Sequence, residues 1–391
     1  MAADVRGRMR SPLVLLSVAH FWNDAYATIY PALVPLFMGL LHWSVTAAAL
    51  VGAVGSIMQG SQPFLGRMVD ARPSRLYVGG ALILASAAAM VEPVSRNYTL
   101  FVVLLLVGTA ASSLFHPTSL ALVGQQQDQN RGKRVATFLV AGNVGRSLGP
   151  LMASGLAAIV GAISGISLIA IPGLALGVYA LFAVPATASR PHTGEETPML
   201  RLLLTRVRRL SILLGLSGSR ALVTFALVAL LPVWFRSKGG TALESSVYLA
   251  VLLFVGSLGN GVGGALSDRF PRRFILIAAS VGSALALAAF TATTGILAIL
   301  LVAVVGLFSQ STTSVTMVMG QELFPESRGM ASGIALGLGN ALGALFVGGL
   351  SLVAGRYGIP AALYTTALLA LVGVPLAILY REQHMSPAAA A

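Results

Sequence analysis

Gly264-Ala265-Leu266-Ser267-Asp268-Arg269-Phe270-Pro271-Arg272-Arg273 separates two long apolar runs in the second half of the chain. A degenerate copy, Gly66-Arg67-Met68-Val69-Asp70-Ala71-Arg72-Pro73-Ser74-Arg75, separates two apolar runs in the first half, and its glycine, aspartate and final arginine recur at an offset of 198 residues. Arg131-Gly132 recurs as Arg328-Gly329, and Gly142-Asn143 as Gly339-Asn340, both at an offset of 197. Three recurrences at spacings within one residue of each other mark a single unit written twice.

Outward from these loops, apolar runs fall at 12–40, 45–66, 76–94, 98–124, 134–161 and 164–187, then at 210–235, 245–266, 274–292, 295–319, 329–355 and 360–380. A helix that crosses a bilayer needs about 20 predominantly apolar residues, so twelve such spans take about 240 positions. The chain has 391 residues, which leaves room for loops. Hydrophobic residues make up 56% and charged residues 9%, against about 25% charged in an ordinary soluble domain. That balance excludes a water-soluble globule. The fold class predicted is an all-α membrane protein of twelve transmembrane helices in two six-helix bundles, 1–187 and 210–391, joined by a cytoplasmic linker at 188–209. The least marked division lies near Gly161 to Gly165, where the fifth and sixth runs almost merge. Arg6, Arg8 and Arg10 before the apolar run from Leu13 mimic a signal peptide, but the run continues through Phe37 without a cleavage site and reads as a retained first helix.

The net charge of +13 raises nucleic-acid binding as an alternative, because basic patches neutralise phosphates. The distribution argues against it. Arginine and lysine fall in short clusters between apolar runs, with no basic domain and no aromatic-interleaved patch. With both termini in the cytoplasm, nineteen of the 25 basic residues lie on the inner side, four lie outside, and Arg146 and Arg220 lie inside spans. Such a split follows the positive-inside bias and places the chain in the inner membrane. No cysteine is present, so disulfide and thiol chemistry are excluded.

The duplicated six-helix unit and its two loops resemble the major facilitator superfamily, whose halves are parallel repeats about an axis along the membrane normal. The superfamily loop reads Gly-x-x-x-Asp-Arg-x-Gly-Arg-Arg. GALSDRFPRR keeps Asp268, Arg269, Arg272 and Arg273, with Pro271 for glycine; GRMVDARPSR has Ala71 for arginine and regains Arg72 one place later. The resemblance implies gating latches built from Asp70, Arg72, Arg75, Asp268, Arg269 and Arg272. Asp70 is assigned to the start of the eleventh helix and Asp268 to the start of the fifth, since an aspartate can face the positive N-terminus of a helix.

Four stretches resemble, more closely, the fosmidomycin-resistance family of drug exporters within that superfamily. They are AHFWNDAYATIYPALVPLF in the first run, GTAASSLFHPTSLALV in the fourth, AGNVGRSLGP in the fifth and QELFPESRGMASG leading into the eleventh. Membership implies proton-driven efflux of small amphiphilic or anionic drugs. Two departures from that family are Thr118, where an acid often follows His-Pro, and Arg146, at a position commonly small or polar. Gly145, Gly149 and Pro150 also resemble the antiporter motif of superfamily exporters, with Ala153 and Ser154 for its last glycines. Proline removes a backbone donor and kinks the helix, while glycine permits close packing.

Charges at mid-span direct attention to a working site. Asp24, Arg146 and Arg220 each cost about 3 kcal/mol at the bilayer centre, so they are expected to face a wet cavity or one another. Subtracting the repeat offset places Arg220 at the level of Trp22 and Asn23 in the first span. Helices 1 and 7 face each other in the superfamily, which implies opposite charges across the pathway. Asp24, the carboxylate at mid-depth, is the candidate proton carrier. His20 lies four residues earlier, on the same helical face, and imidazole titrates near neutral pH. Arg146 and Arg220 are candidate substrate anchors, with His116, Asn143, Asn23, Tyr26, Tyr30 and Gln59 as further cavity-lining candidates.

No Gly-x-x-x-x-Gly-Lys-Ser/Thr sequence occurs to cradle ATP phosphates. His20, Asp24 and His116 are the only plausible metal ligands at depth, so neither a metal centre, a cofactor nor an enzyme is predicted. The reading is a proton-coupled exporter of a small organic anion or amphiphilic drug, monomeric, with the bilayer and protons as its other partners. An uptake symporter for an organic acid and a transport-dead sensor on the same scaffold remain the alternatives.

Overall fold

The structure, a computed structural model, describes residues 12–44, 47–48, 51, 55, 58–65, 75–95, 97–124, 131–184, 199–267, 269–324 and 328–380. Within these the chain is all-α. Helix α1 spans Pro12–Leu41, and α2 is described in part, including a 3-10 turn at Met58–Ser61. Then come α3 (Arg75–Val91, continued by a 3-10 turn at Glu92–Val94), α4 (Tyr98–Gly124) and α5 (Arg131–Val160). Helix α6 is in two pieces, Ala162–Ile169 and Ile171–Ala183. A short helix, Met199–Thr205, precedes α7 (Val207–Ser237), α8 (Ala242–Ser267), α9 (Arg272–Thr291) and α10 (Gly295–Leu323). Helix α11 joins Arg328–Gly333, a π-helical segment Ile334–Leu338, and Gly339–Tyr357. Helix α12 comprises Ile359–Ala370 and Gly373–Leu379.

Among the described residues nine helices are long and apolar enough to cross a membrane. Large apolar side chains such as Ile159, Phe182, Ile296 and Leu368 stand on the outside of the bundle. Lipid tails cover such a surface at no cost, whereas water would not.

Two sequence expectations need adjustment. The sixth and twelfth runs are each broken rather than continuous; in α6 the break precedes Pro172, which cannot continue a helix from within. The stretch 188–209 is helical from Met199 onward, so the seventh helix begins at Val207 rather than 210. Arg206 explains this end of the linker: its guanidinium lies 5.3 Å from the Phe324 ring centroid and donates to the Leu323 carbonyl. An arginine can thus lay its stem on apolar surface while its head remains satisfied.

The repeat seen in the sequence returns in the backbone. Gly161, which separates α5 from α6, has φ 85°, and Gly358, which separates α11 from α12, has φ 87°. His42 (φ 55°) and Gly239 (φ 81°) mark the ends of α1 and α7. Both pairs differ by 197 residues. Helix partners repeat too: α1 packs on α5 as α7 packs on α11, and α3 packs on α4 and α6 as α9 packs on α10 and α12. The six N-terminal and six C-terminal helices meet along α1 with α7, α5 with α8, and α2 with α11. At the last seam a Cβ on Gly337 would come 2.6 Å from the Gln59 carbonyl, and one on Gly333 2.9 Å from the Pro63 backbone. Glycine is what lets these two helices touch.

Candidate functional site

Helix α5 presents Gly142, Gly145 and Gly149 to α1, roughly one per turn. A Cβ at Gly142 would strike the His20 ring, one at Gly145 the Phe21 carbonyl, and one at Gly149 the Ala25 backbone and the Thr28 hydroxyl. The two backbones therefore run in contact, and the Thr28 hydroxyl donates to the Arg146 carbonyl at 3.2 Å. Arg146 follows Gly145, so its side chain leaves the seam beside α1 and reaches Asp24.

Asp24 is 3% exposed. Arg146 donates from Nη2 to its Oδ2 at 3.0 Å, and Asn23 donates from Nδ2 to its Oδ1 at 3.1 Å. His116 Nε2 lies 2.9 Å from Oδ1 and His20 Nε2 3.5 Å from Oδ2. A second layer fixes the imidazoles: Nδ1 of His116 donates to the Ser112 carbonyl at 2.7 Å, and Nδ1 of His20 donates to the Phe138 carbonyl at 2.8 Å. The His20 ring also stacks on Phe138, with centroids 4.0 Å apart.

The protons on this cluster can be counted. A carbonyl oxygen only accepts, so each Nδ1 carries a hydrogen and each Nε2 is turned toward the carboxyl group. The 2.9 Å contact between His116 Nε2 and Asp24 Oδ1 then requires one further proton on one of those two atoms. One proton therefore lies between Asp24 and His116, beside the Arg146 guanidinium. His116, three helices further along the chain, thus belongs to the same unit as Asp24.

The sequence placed Arg220 opposite Asp24 as its partner across the pathway. Arg146 was the other cation the sequence offered it, and of the two the structure pairs Asp24 with Arg146, because α1 and α5 lie in glycine-mediated contact. Arg220 is held by neutral amides. It donates from Nη1 to Gln310 Oε1 at 3.1 Å and from Nη2 to Asn340 Oδ1 at 2.6 Å. The Asn340 amide donates in turn to Gln59 Oε1 at 3.1 Å, and Gln310 donates to the Thr224 hydroxyl at 3.3 Å. Among the described residues no carboxylate pairs with Arg220, and its Nε–H is buried without an acceptor.

All these groups border one cavity of about 300 Å³. His20, Asn23, Asp24, Tyr26, Tyr30, Gln59, His116 and Asn143 line it together with Arg146 and Arg220. Tyr26 and Tyr30 offer it only their rings. The Tyr26 hydroxyl is used at the break in α6, donating toward the Ile169 and Ala170 carbonyls at 3.3 Å and accepting from the Gly173 amide at 2.9 Å; the Tyr30 hydroxyl donates to the Ala48 carbonyl at 2.7 Å. Sequence reasoning missed Gln310, Asn340 and Glu92, which also line the cavity. Asn340 was legible as the repeat of Asn143; a lone glutamine inside the apolar tenth run was a weaker signal.

Of the latch residues, Asp70, Arg72 and Asp268 lie outside the described residues, and Arg75 and Arg269 are exposed. Arg272 turns to its own half. It donates to both Glu322 oxygens, at 2.5 and 2.7 Å, tying the start of α9 to the end of α10. His20, Asp24 and His116 bring three ligand-type atoms within 4.8 Å of one another, a grouping that sequence spacing did not foresee. Arg146 already donates to the carboxylate of that set, so a metal ion there would meet a neighbouring cation.

A bundle of paired six-helix repeats around a central polar cavity defines a membrane transporter. The chain belongs to the major facilitator superfamily, whose sequence pattern matches residues 15–346 and 244–390; its members are transporters, not enzymes. The MFS-type transporter YfnC of Bacillus subtilis (strain 168) is 25% identical over 398 residues, covering 95% of this chain and 93% of that protein. The fosmidomycin resistance protein of Escherichia coli (strain K12) is 26% identical over 385 residues, covering 94% and 92%. A bacterial homolog of the human lysosomal transporter Spinster, in an inward-facing and unoccupied conformation, superposes with a TM-score of 0.77 at 14% identity, covering 94% of this chain and 95% of its own. That likeness is one of fold.

Proposed function

We propose that this chain is a proton-coupled transporter of small organic anions or anionic amphiphiles, in which bundles 1–187 and 210–391 rock about the cavity, and that it works as an exporter. The observation that carries the substrate class is the unequal exposure of one ion pair. The Arg146 side chain is 38% exposed and that of Asp24 4%. An anion entering the cavity reaches the guanidinium but not the carboxylate, and so replaces Asp24 as the partner of Arg146. Arg220, held by amides alone, offers a second cation. The likeness to the fosmidomycin resistance protein supports the outward direction. The excess of basic residues on one side supports an inner-membrane protein with both termini in the cytoplasm. It acts as a monomer.

The same exchange favours a second reading of direction. When an anion takes Arg146, Asp24 and His116 lose a neighbouring cation and hold their proton more firmly. Anion and proton then bind with positive linkage, and linkage is reciprocal. Co-binding is the signature of symport, hence of uptake of an organic acid with protons.

Inside-out vesicles carrying the chain, loaded with a pH dye and given fosmidomycin, separate these cases. Release of protons from the vesicle lumen as the phosphonate enters supports exchange and export. Protons moving with the phosphonate support symport. No phosphonate-dependent proton movement, across a panel of phosphonates and carboxylates, would leave a sensor.

A further inference from the structure

Glu92 is a second carboxylic acid at the wall of the cavity, besides Asp24. It opens the 3-10 turn Glu92–Val94 at the end of α3, is 8% exposed, and lines the same cavity as Asp24. Its backbone carbonyl accepts from the Ser95 amide, but among the described residues no donor or cation partners its carboxylate. Tyr30 lines the same cavity, and the ends of α1 and α3 lie on one side of a bundle whose successive spans alternate in direction. Tyr30 follows Asp24 by six residues on α1, about 9 Å along the helix axis. The cavity is therefore bipolar, with Arg146 and Arg220 toward one end and, toward the other, a carboxyl group with no partner among the described residues.

We infer that Glu92 binds a cationic group of the substrate in competition with a proton, so that the cavity takes zwitterionic amphiphiles, with an anionic head at Arg146 and Arg220 and an ammonium at Glu92. This rests on the reading of Arg146 and Arg220 as anion anchors. A buried carboxylate without a counter-charge is unfavourable, and either an ammonium or a proton relieves it. The two exclude each other at one carboxyl group, which gives the negative linkage that antiport needs and that Asp24 with Arg146 lacks. The surroundings leave Glu92 free for this. Among the described residues the titratable groups nearest on the packed elements are Tyr26 and Tyr30 on α1 and Tyr98 on α4. The first piece of α6 carries none, and the Arg75 and Tyr77 of α3 lie at its opposite end.

The test uses the full chain in detergent and two probes, hexylphosphonate and aminohexylphosphonate, whose affinities are compared as a ratio. Wild type is expected to prefer the amine-bearing probe by about tenfold or more, the scale of one hydrogen bond to a charged group. The preference should shrink as pH falls, because protons occupy the carboxyl group, and Glu92→Gln should bring the ratio to near one. A ratio that Glu92→Gln leaves unchanged, or a wild type indifferent to the amine, overturns the proposal. Failure of both probes to bind tells against the anion site. Glu92 is then judged by labelling with a hydrophobic carbodiimide, read on the Glu92 peptide by mass spectrometry. Hexylammonium alone should slow that labelling and hexylphosphonate should not; equal labelling with and without hexylammonium would again overturn the assignment.

Discussion

Asn340 donates to the side-chain carbonyl of Gln59 at 3.1 Å across the meeting of the N-terminal and C-terminal helices. The same amide accepts from Arg220 at 2.6 Å. One residue therefore holds the cavity arginine and joins α11 to α2, where glycines already let those helices touch.

Removing that amide should favour the conformation in which α2 and α11 part. Interhelical hydrogen bonds in membranes are worth about 0.6 kcal/mol on average, a population shift of about threefold. The chain has no native cysteine, so a single reporter placed by Gln62→Cys, at a cavity-lining position, labels without background. Asn340→Ala is expected to raise its reaction rate with an impermeant maleimide by about threefold. An unchanged rate would mean that the glycine contacts alone hold the seam.

Asp24 and Arg146 form a pair of which one member is almost wholly covered. Truncating one side of a buried pair costs about 3–5 kcal/mol, much of it from the charge left behind. Arg146→Gln should therefore lower the thermal midpoint in detergent more than the double variant Arg146→Gln with Asp24→Asn. Equal midpoints for the two would show that the carboxylate left without Arg146 costs nothing.

The proton in the 2.9 Å contact between His116 Nε2 and Asp24 is predicted to be one that transport moves. His116→Asn keeps a polar side chain but removes that ring nitrogen, and should strongly reduce phosphonate-dependent proton movement in vesicles. His20→Phe, which removes only the 3.5 Å neighbour of Asp24, should leave most of it. Undiminished proton movement in His116→Asn would transfer the role to another group.

The α1–α5 contact can be probed with one methyl group. Gly145→Ala places a Cβ against the Phe21 carbonyl, whereas Gly155 on the same helix has open space around it. Overpacking costs about 1–3 kcal/mol. Gly145→Ala should lose thermal stability and separate Arg146 from Asp24, while Gly155→Ala should change neither stability nor transport. Similar behaviour of the two would dissociate the packing from the ion pair.

The link between Arg272 and Glu322 is bidentate, yet the Glu322 side chain is 38% exposed. Exposed pairs contribute about 0–1 kcal/mol. Glu322→Gln should thus shift the thermal midpoint only slightly. A large drop would assign the pair a structural role beyond its own half.

The amino-acid sequence by itself determined the spans, the duplication and the depth of Asp24, Arg146 and Arg220. Each of those is a local property: a bilayer demands an apolar run of helical length wherever the chain crosses, and a charge inside such a run is conspicuous. Tertiary structure decided the partners. Whether Asp24 meets Arg146 or Arg220 depends on how α1 is rotated and how closely α5 approaches, which three glycines settle by contact with backbone atoms. The same holds for His116 turning to Asp24, Asn340 to Gln59, and Arg272 to Glu322. Glu92 carried no site signal in the sequence; only the closure of helices from both halves around one void turned it into a wall of the cavity.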